Sequence, residues 1–104
     1  MEISNTENIP GRTIVQFYGV VTGNTVRAKH IGRDIMAGLK NIVGGELVGY
    51  TELLQDSRNE ATERMIQQAQ SMGANAVVNV RFATSSIAQG AAELFAYGTA
   101  VRVE

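Results

Sequence analysis

Residues Gly73-Ala74-Asn75-Ala76-Val77-Val78-Asn79-Val80 constrain this chain more than any other stretch, because two element types meet there. A polar segment with helical spacing runs up to Gly73, and a glycine just past a helix readily takes the left-handed conformation that ends it. The apolar run that follows reads as a buried strand packed beneath that helix. Helix is therefore layered on sheet, with Gly73 as the corner.

Reading outward from the corner supplies the other elements. Residues 1–11 form a short arm with an edge strand at Glu2-Ile3, running into Pro10-Gly11. From Thr13 the chain reads as a strand, with Ile14, Gln16, Tyr18 and Val20 on one face and Val15, Phe17, Gly19 and Val21 on the other. Both faces are largely apolar, which predicts cover on both sides, by a helix and by another subunit. Thr22-Gly23-Asn24-Thr25 has turn chemistry. Ile31, Ile35, Leu39, Ile42 and Val43 recur at helical spacing and predict a first short helix, with Gly32 and Gly38 inside it and Gly44-Gly45 ending it. Tyr50, Leu54, Arg58, Ala61, Met65, Ala69 and Met72 trace one stripe along a longer helix over Leu53–Met72, with Arg58 its one polar break.

After the corner, the pattern predicts a strand over Ala76–Thr84, with Val78, Val80 and Phe82 facing away from Val77, Asn79 and Arg81. Ser85–Gly90 reads as a small polar connection and Glu93–Val103 as the last strand. Phe95, Tyr97, Thr99, Val101 and Val103 share one face of it; Ala96, Gly98 and Ala100 line the other, where something must approach closely. The expectation is one α+β domain over residues 1–104: a small antiparallel sheet with two helices on one face, in β-α-α-β-β order. So few strands cannot close on themselves, so pairing with a second subunit is the simplest cover for the remaining face and edges.

Composition narrows the chemistry. With 44% hydrophobic and 18% charged residues over 104 positions, the chain is globular and holds one core. A net charge of -1 gives no bulk attraction to nucleic acid or to anionic membranes. No apolar run approaches the ~20 residues that cross a bilayer, and Met1-Glu2-Ile3-Ser4-Asn5 lacks the basic start of an export signal. The expected location is the cytoplasm. There is no cysteine, which removes disulfides, thiolate metal sites and thiol nucleophiles together.

Four groups of residues are candidates for a site. His30, the single histidine, lies with Arg27, Lys29 and Arg33 in a basic cluster near the start of the first predicted helix, where cations and free N–H groups could converge on an anion. A solvated loop with scattered charge is the plainer reading. Glu52, Asp56, Glu60 and Glu63 share one helical face and offer oxygens to a hard cation, yet Arg64 follows Glu60 at i+4, as on a solvated face. Glu46 follows Gly44-Gly45, with Tyr50 close behind, and the pair could line a cleft; capping of the second helix is the alternative. Gly19-Val20-Val21-Thr22-Gly23 lacks the Gly-Lys-Ser/Thr ending of a phosphate loop and reads as a tight turn. No spacing nominates a nucleophile with a base, so no catalytic residue is assigned.

Taken in order, Gly19-Val20-Val21-Thr22-Gly23, Gly44-Gly45-Glu46 with Tyr50, Gly73-Ala74-Asn75-Ala76-Val77-Val78 and Tyr97-Gly98-Thr99-Ala100-Val101 resemble the YbjQ family, also called UPF0145. The match runs from about Thr13 to Val103. The resemblance implies a dodecin-like subunit, a homo-oligomeric ring with five copies, and a family label of heavy-metal binding without an established activity. The function this predicts is non-catalytic: an oligomeric binding protein that holds a small ligand or metal ion at Arg27, His30, Arg33, Glu46 and Tyr50. The alternatives are an enzyme with an inter-subunit active site and a protein-interaction scaffold. No cofactor is nominated.

Overall fold

One long helix laid across a four-stranded sheet accounts for most of the molecule. The computed structural model describes residues 1–27, 42–43, 46–88 and 91–104, with residues 27, 42–43, 46–51, 53, 86–88 and 91–92 described by main chain alone. The elements are β1 (Glu2–Ile3), β2 (Ile14–Arg27), β3 (Ile42–Val43), β4 (Glu46–Leu47), α1 (Val48–Ser71), β5 (Ala76–Ala88) and β6 (Ala91–Val103). The main sheet has the order β1-β5-β6-β2, and β3 and β4 form a separate two-stranded ribbon.

This corrects the sequence expectation of a purely antiparallel sheet carrying two helices in β-α-α-β-β order. β1 runs parallel to β5, so the sheet is mixed, and among the described residues the order is β-β-α-β-β around one helix, with the small ribbon before it. The first predicted helix falls mostly on residues 28–41, outside the described residues. Its predicted last turn does not hold, because Ile42 and Val43 pair with Leu47 and Glu46 as a strand.

The helix ends where the glycine demands. Gly73 has φ +90°, its N–H donates to the Gln70 carbonyl at 3.0 Å, and the Ala74 N–H donates to the Ala69 carbonyl at 3.1 Å. These two bonds make a Schellman cap, and Ala69 and Ala74 also meet in the core as such a cap favours. Asn75 then carries the chain into the sheet. Its side-chain amide donates to the Val103 carbonyl at 2.9 Å and accepts from the Val103 N–H at 2.8 Å, continuing the ladder with a side chain.

Two small cores lie on opposite sides of the sheet. Beneath α1, Ala61, Met65 and Ala69 pack on Val21, Val77, Val80, Leu94, Ala96 and Ala100. Burying a methionine side chain contributes roughly 1.5–3 kcal/mol, and Met65 is the largest fully buried one here. The buried line of the helix is Ser57, Ala61, Met65 and Ala69, while Arg58 and Met72 are exposed, so the predicted stripe is rotated slightly. On the far side, Ile9, Ala76, Val78, Val101 and Val103 form the second core, with Ile14 against it. The arm seals that end: Ser4 N–H donates to Val77 O, Asn79 N–H to Thr6 O and Val80 N–H to Ser4 O, each at 2.9 Å.

Strand alternation is broken at both long strands. Asn79 has φ +54° and sits at a register shift in β5, so Val77 and Val80, rather than Val78 and Val80, share the helix side. A bulge opposes two residues to one and switches the faces beyond it. β2 carries shifts between Ile14 and Gln16 and between Phe17 and Gly19, with the same effect.

Candidate functional site

The site is the outer edge of β2 and the sheet face beside it, where the described molecule is least covered. Among the described residues, β2 is a terminal strand of the sheet, 14 residues long and paired on one side only. Residues 13–26 contain no charged side chain and no proline. Charge and proline are the usual means by which an edge strand avoids pairing with other chains.

The second half of the strand is held by the helix. At Gly23 an added Cβ would fall inside contact distance of the Ala61 carbonyl oxygen and the Met65 nitrogen, so helix and strand touch backbone to backbone there. Side chains of α1 then reach the strand's outer edge on either side of Gly23. The Thr22 N–H donates to Gln68 Oε1 at 2.8 Å, and Arg64 Nη1 donates to the Asn24 carbonyl while its Nη2 pairs with Glu60. Asn24 Nδ2 also donates to Glu93 Oε2 at 3.2 Å, and Thr25 is buried. The predicted turn at Thr22–Thr25 is therefore corrected: it is continuous strand, and its glycine is demanded by the helix backbone.

Among the described residues, the first half of the strand has no such cover. Phe17 is 72% exposed, Val20 70% and Val15 49%. Phe17 lies opposite Val101 and Val20 opposite Thr99, which places both on the sheet face away from α1. The half-buried aromatic pair Phe95 and Tyr97 shares that face, with ring centroids 5.6 Å apart. Tyr18 points the other way, its hydroxyl 3.3 Å from the Gly73 carbonyl oxygen, which also accepts from Arg102 at 3.2 Å.

A second correction concerns the small residues of β6. Ala96 and Ala100 are fully buried and Gly98 is buried, all within this chain. A Cβ at Gly98 would lie 2.7 Å from Val77 Cγ1 and 2.9 Å from the Val78 carbonyl oxygen. The close approach predicted at this face is made by the chain's own β5 and helix, not by another subunit.

The ligand-binding residues proposed from sequence are distributed as follows. Arg27 is the last residue of β2, opposite Ala92. Glu46 lies in β4 opposite Val43, and Tyr50 is the third residue of α1. The side chains of these three, and the whole of His30 and Arg33, lie outside the described residues. Of the acidic helix face, Glu52, Asp56 and Glu63 are exposed and Glu60 is half-buried beside Arg64. Among the described residues, no three His, Asp or Glu side chains gather into a metal-holding group. Nor, among them, is any helix long and apolar enough to cross a membrane. Sequence reasoning missed Gln68 and Arg64 as edge partners, although the uncharged run from Thr13 to Val26 signals an edge that needs help.

Comparison with known proteins decides the family. The YbjQ family model, described as "putative heavy-metal-binding", matches residues 1–104. The chain belongs to that family. A UPF0145 protein of Hahella chejuensis is 72% identical over the full length of both chains, and one of Archaeoglobus fulgidus is 63% identical over 97% of this chain and 94% of its own. A crystal structure of a protein of unknown function from Pediococcus pentosaceus, placed in the DUF74 family, superposes with a TM-score of 0.61. It covers 100% of this chain and 98% of its own at 16% identity, a likeness of fold alone. The YbjQ description meets a poor donor set here. Soft heavy metals select thiolate ligands, and this chain has no cysteine and a single histidine. Its residues do not fit a thiolate metal centre.

Proposed function

We propose that this YbjQ-family chain is a non-catalytic, cytoplasmic binding protein that works as a closed homo-oligomer and holds a small ligand or hard ion between its subunits. The observation that carries the reading is the apolar first half of β2, uncovered among the described residues, where Phe17 and Val20 stand 72% and 70% exposed on a strand with no charge before Arg27. Such a surface on every copy favours permanent association over a free monomer. Five copies is the ring size that the family resemblance implies. The basic run of Arg27, His30 and Arg33, with Glu46 and Tyr50, supplies the side chains for a ligand repeated about the ring axis. With no thiolate to offer, an anion or an oxygen-seeking ion suits these residues better than a soft metal.

Native mass spectrometry together with light scattering tests the assembly. One dominant multiple of the chain mass is expected, and a monomer at micromolar concentration would remove the reading. For the ligand, a thermal-shift panel of inorganic phosphate, nucleotides, Mg²⁺, Ca²⁺ and Zn²⁺ should give at least one response. That response should be lost in an Arg27→Ala/Arg33→Ala variant whose oligomeric mass is unchanged.

A further inference from the structure

The arm ahead of β2 is shaped as a unit and tied down lightly. Ile9-Pro10-Gly11-Arg12 closes a turn, with the Arg12 N–H donating to the Ile9 carbonyl at 3.0 Å and Gly11 at φ +78°. Proline second and a left-handed glycine third are the pattern of a type II turn. Before the turn, the arm keeps its shape through its own side chains: the Thr6 N–H donates to Ser4 Oγ at 3.0 Å and Thr6 Oγ1 to the Asn8 carbonyl at 2.6 Å. After it, Thr13 and Glu104 exchange both main-chain bonds, at 3.0 and 2.9 Å, and fix where β2 begins. Of residues 1–10, only Ile9 is buried and only Ser4 half-buried; the rest are exposed. The ion pair between Arg12 and Glu2, at 3.4 Å, is itself open to solvent.

What the arm grips is the irregular part of β5. Successive N–H groups of a regular strand point to opposite edges, and a bulge leaves its extra residue outside the ladder. At Asn79, with φ +54°, two adjacent groups turn to the same edge. The Asn79 N–H donates to the Thr6 carbonyl and the Val80 N–H to the Ser4 carbonyl, each at 2.9 Å. The arm thus supplies the acceptors that the bulge would otherwise lack. Next to these bonds, Ile9 packs with Ala76, Val78, Val101 and Val103 in the far-side core.

We infer that residues 2–9 are a strap that opens and closes on β5 as one unit, swinging from the Ile9–Arg12 turn, and that in its closed state it clamps the Asn79 bulge. Segments that bury few apolar side chains open far more readily than the whole domain unfolds, and this one buries a single isoleucine. Its internal bonds keep it in one piece as it moves. The clamp follows from the backbone: a left-handed residue other than glycine is uncommon and persists where its surroundings hold it, which the two arm carbonyls do. Opening exposes the far-side core and two adjacent main-chain donors together. It takes place within one chain and needs no particular assembly.

Native-state amide exchange of the full chain, read by NMR, tests both parts. In the wild type, Ser4, Asn79 and Val80 should share one opening equilibrium, about tenfold or more above that of the interior strand β6. Its urea dependence should be the weaker of the two, because less surface is exposed. Met65→Ala damages the helix-side core, which strap opening leaves intact. It should speed β6 exchange about tenfold or more and leave the three strap-bonded amides at their wild-type rates. Ile9→Ala should speed those three by about tenfold or more. If Met65→Ala speeds them as much as β6, they open only when the whole chain does, and there is no strap. The clamp is read at a distance, on the arm itself. Asn79→Val places a β-branched side chain where φ is positive and should speed Ser4 exchange. Asn79→Gly, at ease in that conformation, should keep Ser4 near its wild-type rate. An unchanged Ser4 rate in Asn79→Val would show that the bulge stands without the strap and would overturn the clamp.

Discussion

The two halves of β2 differ both in residue type and in what lies against them. From Thr22 to Thr25 the strand is pressed against α1, its edge groups bonded by Gln68 and Arg64 and Thr25 buried. From Val15 to Val20 it exposes a phenylalanine and two valines to solvent. The uncovered stretch is apolar and aromatic, and the stretch against the helix is Thr-Gly-Asn-Thr. Its cover follows from where a glycine lets a helix backbone come close. Gly23 admits the helix, and the helix brings two polar side chains to the edge. Cover of an edge strand is thus decided by its neighbour's path as much as by its own sequence.

The comparison breaks most severely at the crossing itself. Gly23→Ala would drive a methyl into the Ala61 carbonyl and the Met65 nitrogen, which are main-chain atoms that cannot rotate away. The helix must shift as a body, and urea unfolding should register a loss of about 3 kcal/mol or more. The same substitution at Gly19, in the uncovered half, meets no atom within 4 Å, and its cost there is backbone strain at φ +112° rather than a clash with the helix. Met65→Ala comes next: it empties a fully buried site under the crossing and should cost about 2–5 kcal/mol in the same measurement. A void there would also loosen the Gln68 and Arg64 bonds to the strand, so Thr22 amide exchange should accelerate along with it.

Smaller effects sharpen the comparison at its edges. Asn75→Ala removes both side-chain bonds to Val103, a loss of about 1–3 kcal/mol. Val103 lies opposite Ile14, at the start of the uncovered half of β2, so amide exchange in that half should accelerate while Thr22, held by Gln68, keeps its wild-type rate. Smallest is Glu60→Gln, which weakens an exposed i,i+4 pair with Arg64. A stability change within about 0.5 kcal/mol is expected, with the Arg64 bond to Asn24 retained. A larger loss would mean that Glu60 is needed to aim Arg64 at the Asn24 carbonyl.

Local rules made some features legible. The Gly73 corner could be read from sequence because a helix cap is a matter of a few adjacent residues, and both cap bonds are present. The small face of β6 was correctly grouped, since alternation is unbroken there, but the neighbour that fills it was not. The faces of β2 and β5 were misassigned because bulges near Tyr18 and at Asn79 shift the count by one residue. A bulge leaves no reliable mark on a hydrophobic pattern, and everything beyond it changes sides. Thr22-Gly23-Asn24-Thr25 was misread for a different reason: turn residues and close-contact residues are the same types. Ser85–Ala88, small and polar, continues β5 instead of connecting it, because pairing with β6 outweighs weak strand propensity. Of the candidate site, the apolar faces of β2 were visible in the residues but were read as covered on both sides, and the bonds from Gln68 and Arg64 were not visible, since Gln68 and Thr22 are 46 positions apart.

By itself, then, the sequence determined the family, the helix that ends at Gly73 and the absence of thiolate chemistry, because each depends on residue identity or on neighbours along the chain. The tertiary structure alone decided which side of each strand is buried, why Gly23 is a glycine, and where the edge of β2 is closed. Those outcomes depend on the path one helix takes across a sheet, and packing between elements distant in the chain sets that path.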